Sequence, residues 1–461
     1  GFRFAAGSKG ASSAVLAAAF NRTLRDLARV PTVVARPGAA EPGIVKPLHL
    51  YRRGNHVGVP NPAYLRALEL NVGTDEVDGR GKTLASDESY KLELTLSTNG
   101  GALPSPRTVV VKATLTSPTV WGALYGLTTF TQLFFQAETT KNADHSPNLL
   151  ESTELPISIQ DAPRFPWRGV LLDTANHFFP LADILRTVDA LSMNKFNVLH
   201  WHIVDSYSFP FQSTSTPGLG KGAWTPDAVY SPQDVRSVRD YALERGVRVV
   251  LEVDMPGHAY SWGVGVPNIT VRCPDYGKTL DIGHVNAVPL DPSNHATYDV
   301  VDGLLRELVA LLDASEGYIH LGGDEIEEGC WNASAALVAW KASMGLASWT
   351  AVKRYFYRKV WARTVAPLAK KAVTWEDLFL DDRSGELDFN SSNVPFTADE
   401  AVIEVWTDTK YLSQAVAAGY DAIYAAAWYL DRQQPVDGLV AWEWLDTMWQ
   451  MYDIEPEEHV V

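Results

Sequence analysis

The chain has 461 residues, 46% of them hydrophobic and 20% charged, a composition that suits two domains or a large barrel with a smaller partner. Thirty-nine basic residues against 55 acidic ones leave a net charge of −16. No run of Lys and Arg offers a surface for phosphates, which argues against nucleic acid as a partner, and no apolar stretch approaches a membrane span. Residues 1 to about 155 alternate strand-like and helical segments without a catalytic constellation. Ala11 to Val30 reads as an amphipathic helix. Tyr90–Leu96 and, in part, Val109–Leu115 alternate with period two, as strands of a mostly antiparallel sheet do. Thr119 to Phe135 reads as a second helix and the polar, Pro-containing stretch Asn142 to Glu154 as a linker, so residues 1–155 are expected to form a small α+β domain.

From Ile157 the rhythm becomes strand, loop, helix, repeated. Strands are predicted at Gly169–Asp173, Phe196–His202, Val247–Val253, around Tyr318, and at Ala372–Trp375, Ala401–Trp406 and Asp421–Trp428. Helices are predicted at Leu181–Asn194, Pro232–Arg245 and Ala296–Leu312. Such alternation implies a parallel sheet with right-handed crossovers. Seven units in series point to an α/β fold of the (β/α)8 TIM type across residues 156–461, with no segment left for an eighth strand.

In such a barrel the active site lies at the C-terminal ends of the strands. Those ends carry Asp173 and His177, His202 and Asp205, Asp254 and His258, Asp324 and Glu325, then Trp375, Trp406, Tyr429 and Asp431. The adjacent pair Asp324–Glu325 follows a double glycine that closes the apolar run Tyr318–Leu321. Two neighbouring buried acids are costly unless a site uses them; the plainer reading is a solvated turn with Asp324 capping the next helix. Fifteen Trp and eighteen Tyr can line a sugar pocket or fill a core. A glycoside hydrolase fits best, with carboxylates for acid/base work and no cofactor motif. A metal-dependent hydrolase of the amidohydrolase type is the alternative, with His200 and His202 sharing one face of a strand and His258 and Asp324 completing a site. A non-catalytic sugar-binding barrel would keep the aromatics without needing both acids.

Five stretches resemble family 20 glycoside hydrolases, the β-N-acetylhexosaminidases of lysosomal and secreted eukaryotic type: Trp167–Gly169 with Leu172–Thr174, His200–Asp205, Asp254–His258, His320–Glu325 and Trp428–Asp431. Thr119–Leu127 resembles the N-terminal domain of the same family. The resemblance implies that Asp324 holds the substrate's acetamido N–H and stabilises its developing positive charge, that Glu325 is the acid/base, and that Tyr429 donates to the acetamido oxygen. It further implies that Asp205 and His258 tune Glu325, that Arg168 grips O3 and O4, that Asp431 lies near O6, and that Trp375 and Trp406 wall the acetamido pocket. No metal or cofactor is implied. The substrates it implies are N-acetylhexosamine-terminated glycans or chitin oligosaccharides, and it leaves homodimerisation open, as in related enzymes.

The resemblance also implies a disulfide between Cys273 and Cys330, the chain's two cysteines, and a lysosomal, vacuolar or secreted location. Sequons at Asn21, Asn268, Asn332 and Asn390 are candidate glycosylation sites. Two departures stand out. Tyr207 occupies a position where the family often has Gln, and the family's last barrel strand, with a pocket Trp and a Glu for O4, has no counterpart before Val461. Without that strand, residues 1–461 alone are expected to be poorly stable and nearly inactive.

Overall fold

The structure, a computed structural model, describes residues 3–6, 13–29, 48–50, 63–73, 83, 85–97, 109–136, 150–151, 155–271, 288–312, 315–380, 386–389, 394–430, 433–435, 442–444 and 448–459. Cys273, Asn390 and Asp431 lie outside the described residues. The chain divides into two units.

The first unit comprises Gly1–Arg168 with Leu185–Val198 and Asp240–Arg248. Its strands are β1 (Arg3–Ala6), β2 (Leu48–Leu50), β3 (Ala63–Val72), β4 (Tyr90–Ser97) and β5 (Val109–Ser117). Two short strands, β6 (Phe135–Gln136) and β7 (Leu150–Glu151), pair with each other, so part of the expected linker is a strand. β8 (Ile157–Asp161) then pairs antiparallel with β4. That pairing moves the boundary: Ile157 closes the first sheet and does not open the barrel rhythm. The sheet runs β1-β3-β5-β4-β8 with β2 beside β3. It is mixed where a mostly antiparallel one was expected, because β3 pairs parallel with both β1 and β5.

The period-two pattern of β4 puts Tyr90, Leu92 and Leu94 in the core and leaves Lys91 exposed. Helices α1 (Ala14–Arg29) and α2 (Val120–Gln132) belong to this unit, which also takes in the greater part of the helix Leu181–Met193. α2 is buried from Val120 to Leu127 without interruption and is capped by Thr119, whose side chain accepts from the Gly122 N–H. A Cβ at Gly122 would stand 2.2 Å from Ser89 O, so only glycine lets this helix press so closely on the chain ahead of β4.

The second unit comprises Gly169–Ile184, Leu199–Arg239 and Val249–Val461. Its seven strands are β9 (Gly169–Asp173), β10 (Val198–Val204), β11 (Arg248–Val253), β12 (Tyr318–His320), β13 (Lys371–Trp375), β14 (Ala401–Val405) and β15 (Asp421–Tyr424). They are neighbours in sequence order, and every pair from β11 to β15 is parallel. α3 (Leu181–Met193), α4 (Pro232–Leu243), α6 (His295–Leu311), α9 (Trp349–Val360) and α10 (Lys410–Ala417) stand between successive strands, with the short α5 (Tyr260–Gly265), α7 (Glu328–Ala333) and α8 (Ala335–Ser343) in the loops. β10, β11 and β14 are buried at every position, as strands covered on both faces must be. This is the α/β TIM-type arrangement, with seven parallel strands among the described residues. Beyond β15 the chain forms an antiparallel hairpin of Gln433–Pro435 with Trp442–Trp444.

Candidate active site

The strand ends of the second unit converge on the Asp324–Glu325 turn. Gly322 and Gly323 adopt φ of 64° and 113°, and a Cβ on Gly322 would lie 1.8 Å from Asp254 Oδ1. The double glycine is therefore required on both counts, conformation and space. The Gly323 N–H donates to Asp254 Oδ1 at 3.0 Å, and Gly322 O accepts from the Trp375 N–H at 3.1 Å. The turn is thus tied to β11 on one side and β13 on the other. Glu325 itself has φ of 45°, a left-handed value that a bulky side chain adopts only under constraint. Asp324 does not cap the next helix: α7 begins after Glu327, whose own side chain caps it.

The two acids differ in setting. The Asp324 side chain is 19% exposed and that of Glu325 55%. Asp324 Oδ1 is buried and accepts no hydrogen bond among the described residues. Partial burial raises the Glu325 carboxyl above its ordinary value; His258 opposes the rise, and Asp324, Asp377 and Asp205 add to it.

His258, also at positive φ (47°), sits among four carboxylates. Its Nδ1 is 3.4 Å from Asp205 Oδ1, and its Nε2 is 3.4 Å from Asp324 Oδ2, 3.6 Å from Glu325 Oε2 and 3.8 Å from Asp254 Oδ2. Burial disfavours the imidazolium, but Asp254, Asp324 and Asp205 outweigh it and raise the His258 pKa well above its usual value. Burial also works to raise Asp205, yet hydrogen bonding and charge from His202 and His258 hold it far below the usual carboxylate range. Asp254, fully buried and beside Asp324, is pushed well above that range, chiefly by burial.

Beneath this layer lies a network that the sequence reading did not single out. Glu252, with no exposed surface, accepts from Trp375 Nε1 at 2.9 Å and lies 2.7 Å from His200 Nε2 and 2.8 Å from His202 Nδ1. Glu404 Oε2 lies 3.5 Å from both His200 Nδ1 and His320 Nε2. The available signal was a lone acid inside each of two apolar strands, Arg248–Val253 and Ala401–Val405. Three ligand-type atoms from His200, Glu252 and His320 fall within 4.8 Å of one another, as do those of Asp205, Asp254 and His258, and those of His258, Asp324 and Glu325. His200 and His202 are thus engaged with carboxylates inside the barrel.

Aromatic residues form the other wall. Trp375 is nearly buried, its ring centroid 6.5 Å from that of Trp406, which in turn lies 6.3 Å from the half-exposed Tyr429. Two acids missed in the sequence fix Trp406. Asp377 Oδ2 accepts from its indole N–H at 2.8 Å, while Glu376 accepts from the main-chain N–H groups of Trp406 and Thr407 at 3.0 and 2.8 Å. Burial pushes Glu376 up to about 7. Asp377 Oδ1 also accepts from the Glu325 N–H, at 3.4 Å.

Several expected site residues stand elsewhere. Arg168 is bonded within the first unit. Its NH2 donates to Glu88 at 2.9 Å and to Tyr125 Oη at 2.8 Å, its Nε to Lys195 O and its NH1 to Phe165 O, all within the first unit. These bonds tie the Arg168 guanidinium into the first unit. Asp173 accepts from the Ala175 and Asn176 N–H groups and from Asn176 Nδ2, which makes it a turn former, and His177 is exposed. Cys330 is disulfide-bonded; Cys273, its expected partner, lies outside the described residues. Asn21, Asn268 and Asn332 are exposed.

Comparison with known proteins agrees in both units. The model of glycosyl hydrolase family 20, catalytic domain, matches residues 165–460, and a beta-acetyl hexosaminidase like model matches residues 2–133. Beta-hexosaminidase subunit A1 of Dictyostelium discoideum is 36% identical over 377 residues, which cover 82% of this chain and 62% of that protein. Beta-hexosaminidase subunit beta of Mus musculus is 39% identical over 354 residues, covering 76% and 58%. The chain thus spans about three fifths of the length of these relatives. The X-ray structure of a Flavobacterium johnsoniae chitobiase superposes with a TM-score of 0.66 at 25% identity, covering 94% of this chain and 57% of the other.

Proposed function

Since the chain belongs to glycosyl hydrolase family 20, we propose that it releases terminal, non-reducing β-linked N-acetylglucosamine or N-acetylgalactosamine by a retaining mechanism in which the substrate's acetamido oxygen is the nucleophile. The observation that carries this reading is the contrast within the Asp324–Glu325 pair: a buried carboxylate oxygen without a donor beside a more exposed carboxyl with a raised pKa. A buried acceptor of that kind suits an amide N–H of the substrate. A carboxyl held protonated at higher pH suits a general acid.

In this mechanism Asp324 accepts from the acetamido N–H and stabilises the positive charge as the oxygen attacks the anomeric carbon. Glu325 protonates the leaving oxygen, then takes a proton from the water that opens the oxazolinium ring. An internal nucleophile already has a high effective concentration, so the protein's task is to orient it; Trp375, Trp406 and Tyr429 flank the acetamido group, and the Tyr429 hydroxyl donates to its oxygen. Asp205 and His258 set the charge behind Glu325. Asp431 is assigned O6 by family resemblance. Every step is carried by side chains and substrate.

The test compares an aryl β-N-acetylglucosaminide with the aryl β-glucoside. Hydrolysis of the first alone is expected; equal rates would remove the need for the acetamido group and with it the mechanism. We assign the protein to a lysosomal or secretory route, supported by the disulfide at Cys330 and the exposed sequons. No described helix is long and apolar enough to cross a membrane.

A further inference from the structure

Tyr357 belongs to α9, between β12 and β13, and is fully buried. Val352, Phe356 and Val360 recur four apart along that helix and form its buried stripe, with Tyr357 at the stripe's edge. The Tyr357 ring packs edge-on against Phe356 and Phe396, with centroids 5.4 and 5.7 Å away. Its hydroxyl therefore has a fixed place, and that place is behind the catalytic turn. It donates to Met255 O and lies 3.5 Å from Leu321 O. A Cβ on Gly323 would stand 2.9 Å from the same oxygen. One helix residue thus reaches two stretches of backbone: the loop that carries His258 and the turn that carries Asp324 and Glu325.

These two stretches meet with almost no side chain between them. A Cβ on Gly257 would lie 3.0 Å from Asp324 O and 3.6 Å from Ile326 Cα. The Gly323 N–H donates to Asp254 Oδ1 at 3.0 Å, which joins them directly. Across the seam, His258 Nε2 faces Asp324 Oδ2 at 3.4 Å and Glu325 Oε2 at 3.6 Å. The width of the seam sets both distances, since the histidine stands on one side and both acids on the other. Burial, then Asp254, Asp324, Glu252 and Asp377, push the Tyr357 phenol well above its ordinary pKa, so the hydroxyl stays a donor at neutral pH.

We propose that Tyr357 is a positioning residue for the hexosaminidase reaction: its hydroxyl, donating to Met255 O beside Leu321 O, holds the His258 loop against the Asp324–Glu325 turn. Tyr357 meets no reacting atom and acts through His258. The effect on turnover rests on the hexosaminidase reading; the effect on His258 rests on the geometry of the seam.

The experiment replaces Tyr357 by Phe in the full-length protein, which keeps the ring and removes the hydroxyl. It reads kcat and KM on an aryl β-N-acetylglucosaminide, and the titration of His258 by NMR. Asp205 and Asp254 face His258 from the ends of β10 and β11, Asp324 and Glu325 from across the seam. Burial lowers the His258 pKa, while Asp254, Asp324 and Asp205 raise it. A wider seam weakens the share of Asp324, so in Tyr357→Phe the imidazolium should lose its proton at lower pH than in the wild type. kcat should fall about tenfold with KM within about twofold, the pattern of misplaced catalytic groups. Val352→Ala, which thins the same helix face five positions away, should lower the melting temperature and leave kcat and the titration unchanged. An unmoved His258 titration or an unchanged kcat in Tyr357→Phe would overturn the proposal, as would equal effects from Val352→Ala. Equal wild-type rates on the aryl β-glucoside would remove the hexosaminidase reading, while a moved His258 titration would still uphold what Tyr357 holds in place.

Discussion

Replacing Glu252 by Gln removes the carboxylate that three elements share. Its neighbours are His200 at 2.7 Å, His202 at 2.8 Å and the Trp375 indole N–H at 2.9 Å, all without bulk water. Burial opposes the charged form of His200, but Glu404 and Glu252 prevail and raise its pKa from 6.5 to about 9. A raised histidine pKa contributes stability that is complete below the unfolded value and disappears as pH rises through the folded one. The window is therefore pH 6.5 to 9, and the 2.5-unit shift corresponds to about 3 kcal/mol at 1.36 kcal/mol per unit. Removing one member of a buried pair typically costs about 3–5 kcal/mol, which agrees. Glu252→Gln is accordingly expected to unfold about 3–5 kcal/mol more easily at pH 6. The deficit should narrow towards pH 9, where the wild type is itself losing the His200 charge. Urea titrations followed by tryptophan fluorescence at the two pH values measure both quantities. An unchanged midpoint at pH 6, or a deficit that is the same at both pH values, would show that His200 and its neighbours are neutral and the charge argument wrong.

Glu325→Gln is expected to lose about 10²–10⁴-fold in kcat on substrates with poor leaving groups and much less on activated aryl glycosides. Asp324→Asn should impair every substrate alike, since cyclisation loses its electrostatic partner whatever departs. Asp377→Asn removes a negative charge that raises the Glu325 pKa, so the alkaline limb of the kcat/KM profile should move to lower pH, while Asp377→Glu restores it. Asp254→Asn removes the first of the charges that raise the His258 pKa, so in an NMR titration the His258 imidazolium should lose its proton at lower pH than in the wild type. Arg168→Ala leaves Glu88 without its cation and should cost about 3 kcal/mol of stability with kcat/KM per folded molecule unchanged; a rise in KM alone would return Arg168 to the sugar.

The barrel was legible because buried parallel strands leave continuous apolar runs, and β10, β11 and β14 are of that kind. The acids at its rim were legible for a related reason: Gly322 and Gly323 announce a sharp turn, and Asp324 and Glu325 follow it at once. The first sheet was harder. Its pairings are between segments far apart in sequence, and nothing in the alternation of Tyr90–Ser97 distinguishes a parallel from an antiparallel neighbour. Ile157–Asp161 looked like the start of the barrel because pairing partners are not encoded locally; its partner is Tyr90–Leu94. The Arg168–Glu88 pair was hidden for the same cause, since Glu88 is 80 residues away in the chain. Glu376 and Asp377 were invisible as pocket supports because their task is to hold Trp406, some 30 positions further on.

The arrangement of charges explains how so many acids can share one pocket. Glu252, Asp254 and Asp324 bring carboxylate oxygens within 4.8 Å of one another, a spacing at which three negative charges cannot coexist in a poorly solvated interior. The structure separates their fates by their partners. Glu252 faces His200 and His202 and is held far below the usual range by His202, His320 and His200 despite its burial. Asp254 receives one main-chain N–H from Gly323, and burial first and Asp324 second push its carboxyl well above that range. Asp324 is the one of the three that opens towards the pocket. Burial and Asp324 thus favour the protonated form of Asp254, while the carboxylates around His200 and His202 favour the charged form of those histidines. The buried network sets Glu252 and Asp254, two residues apart on one strand end, on opposite sides of the usual carboxylate range.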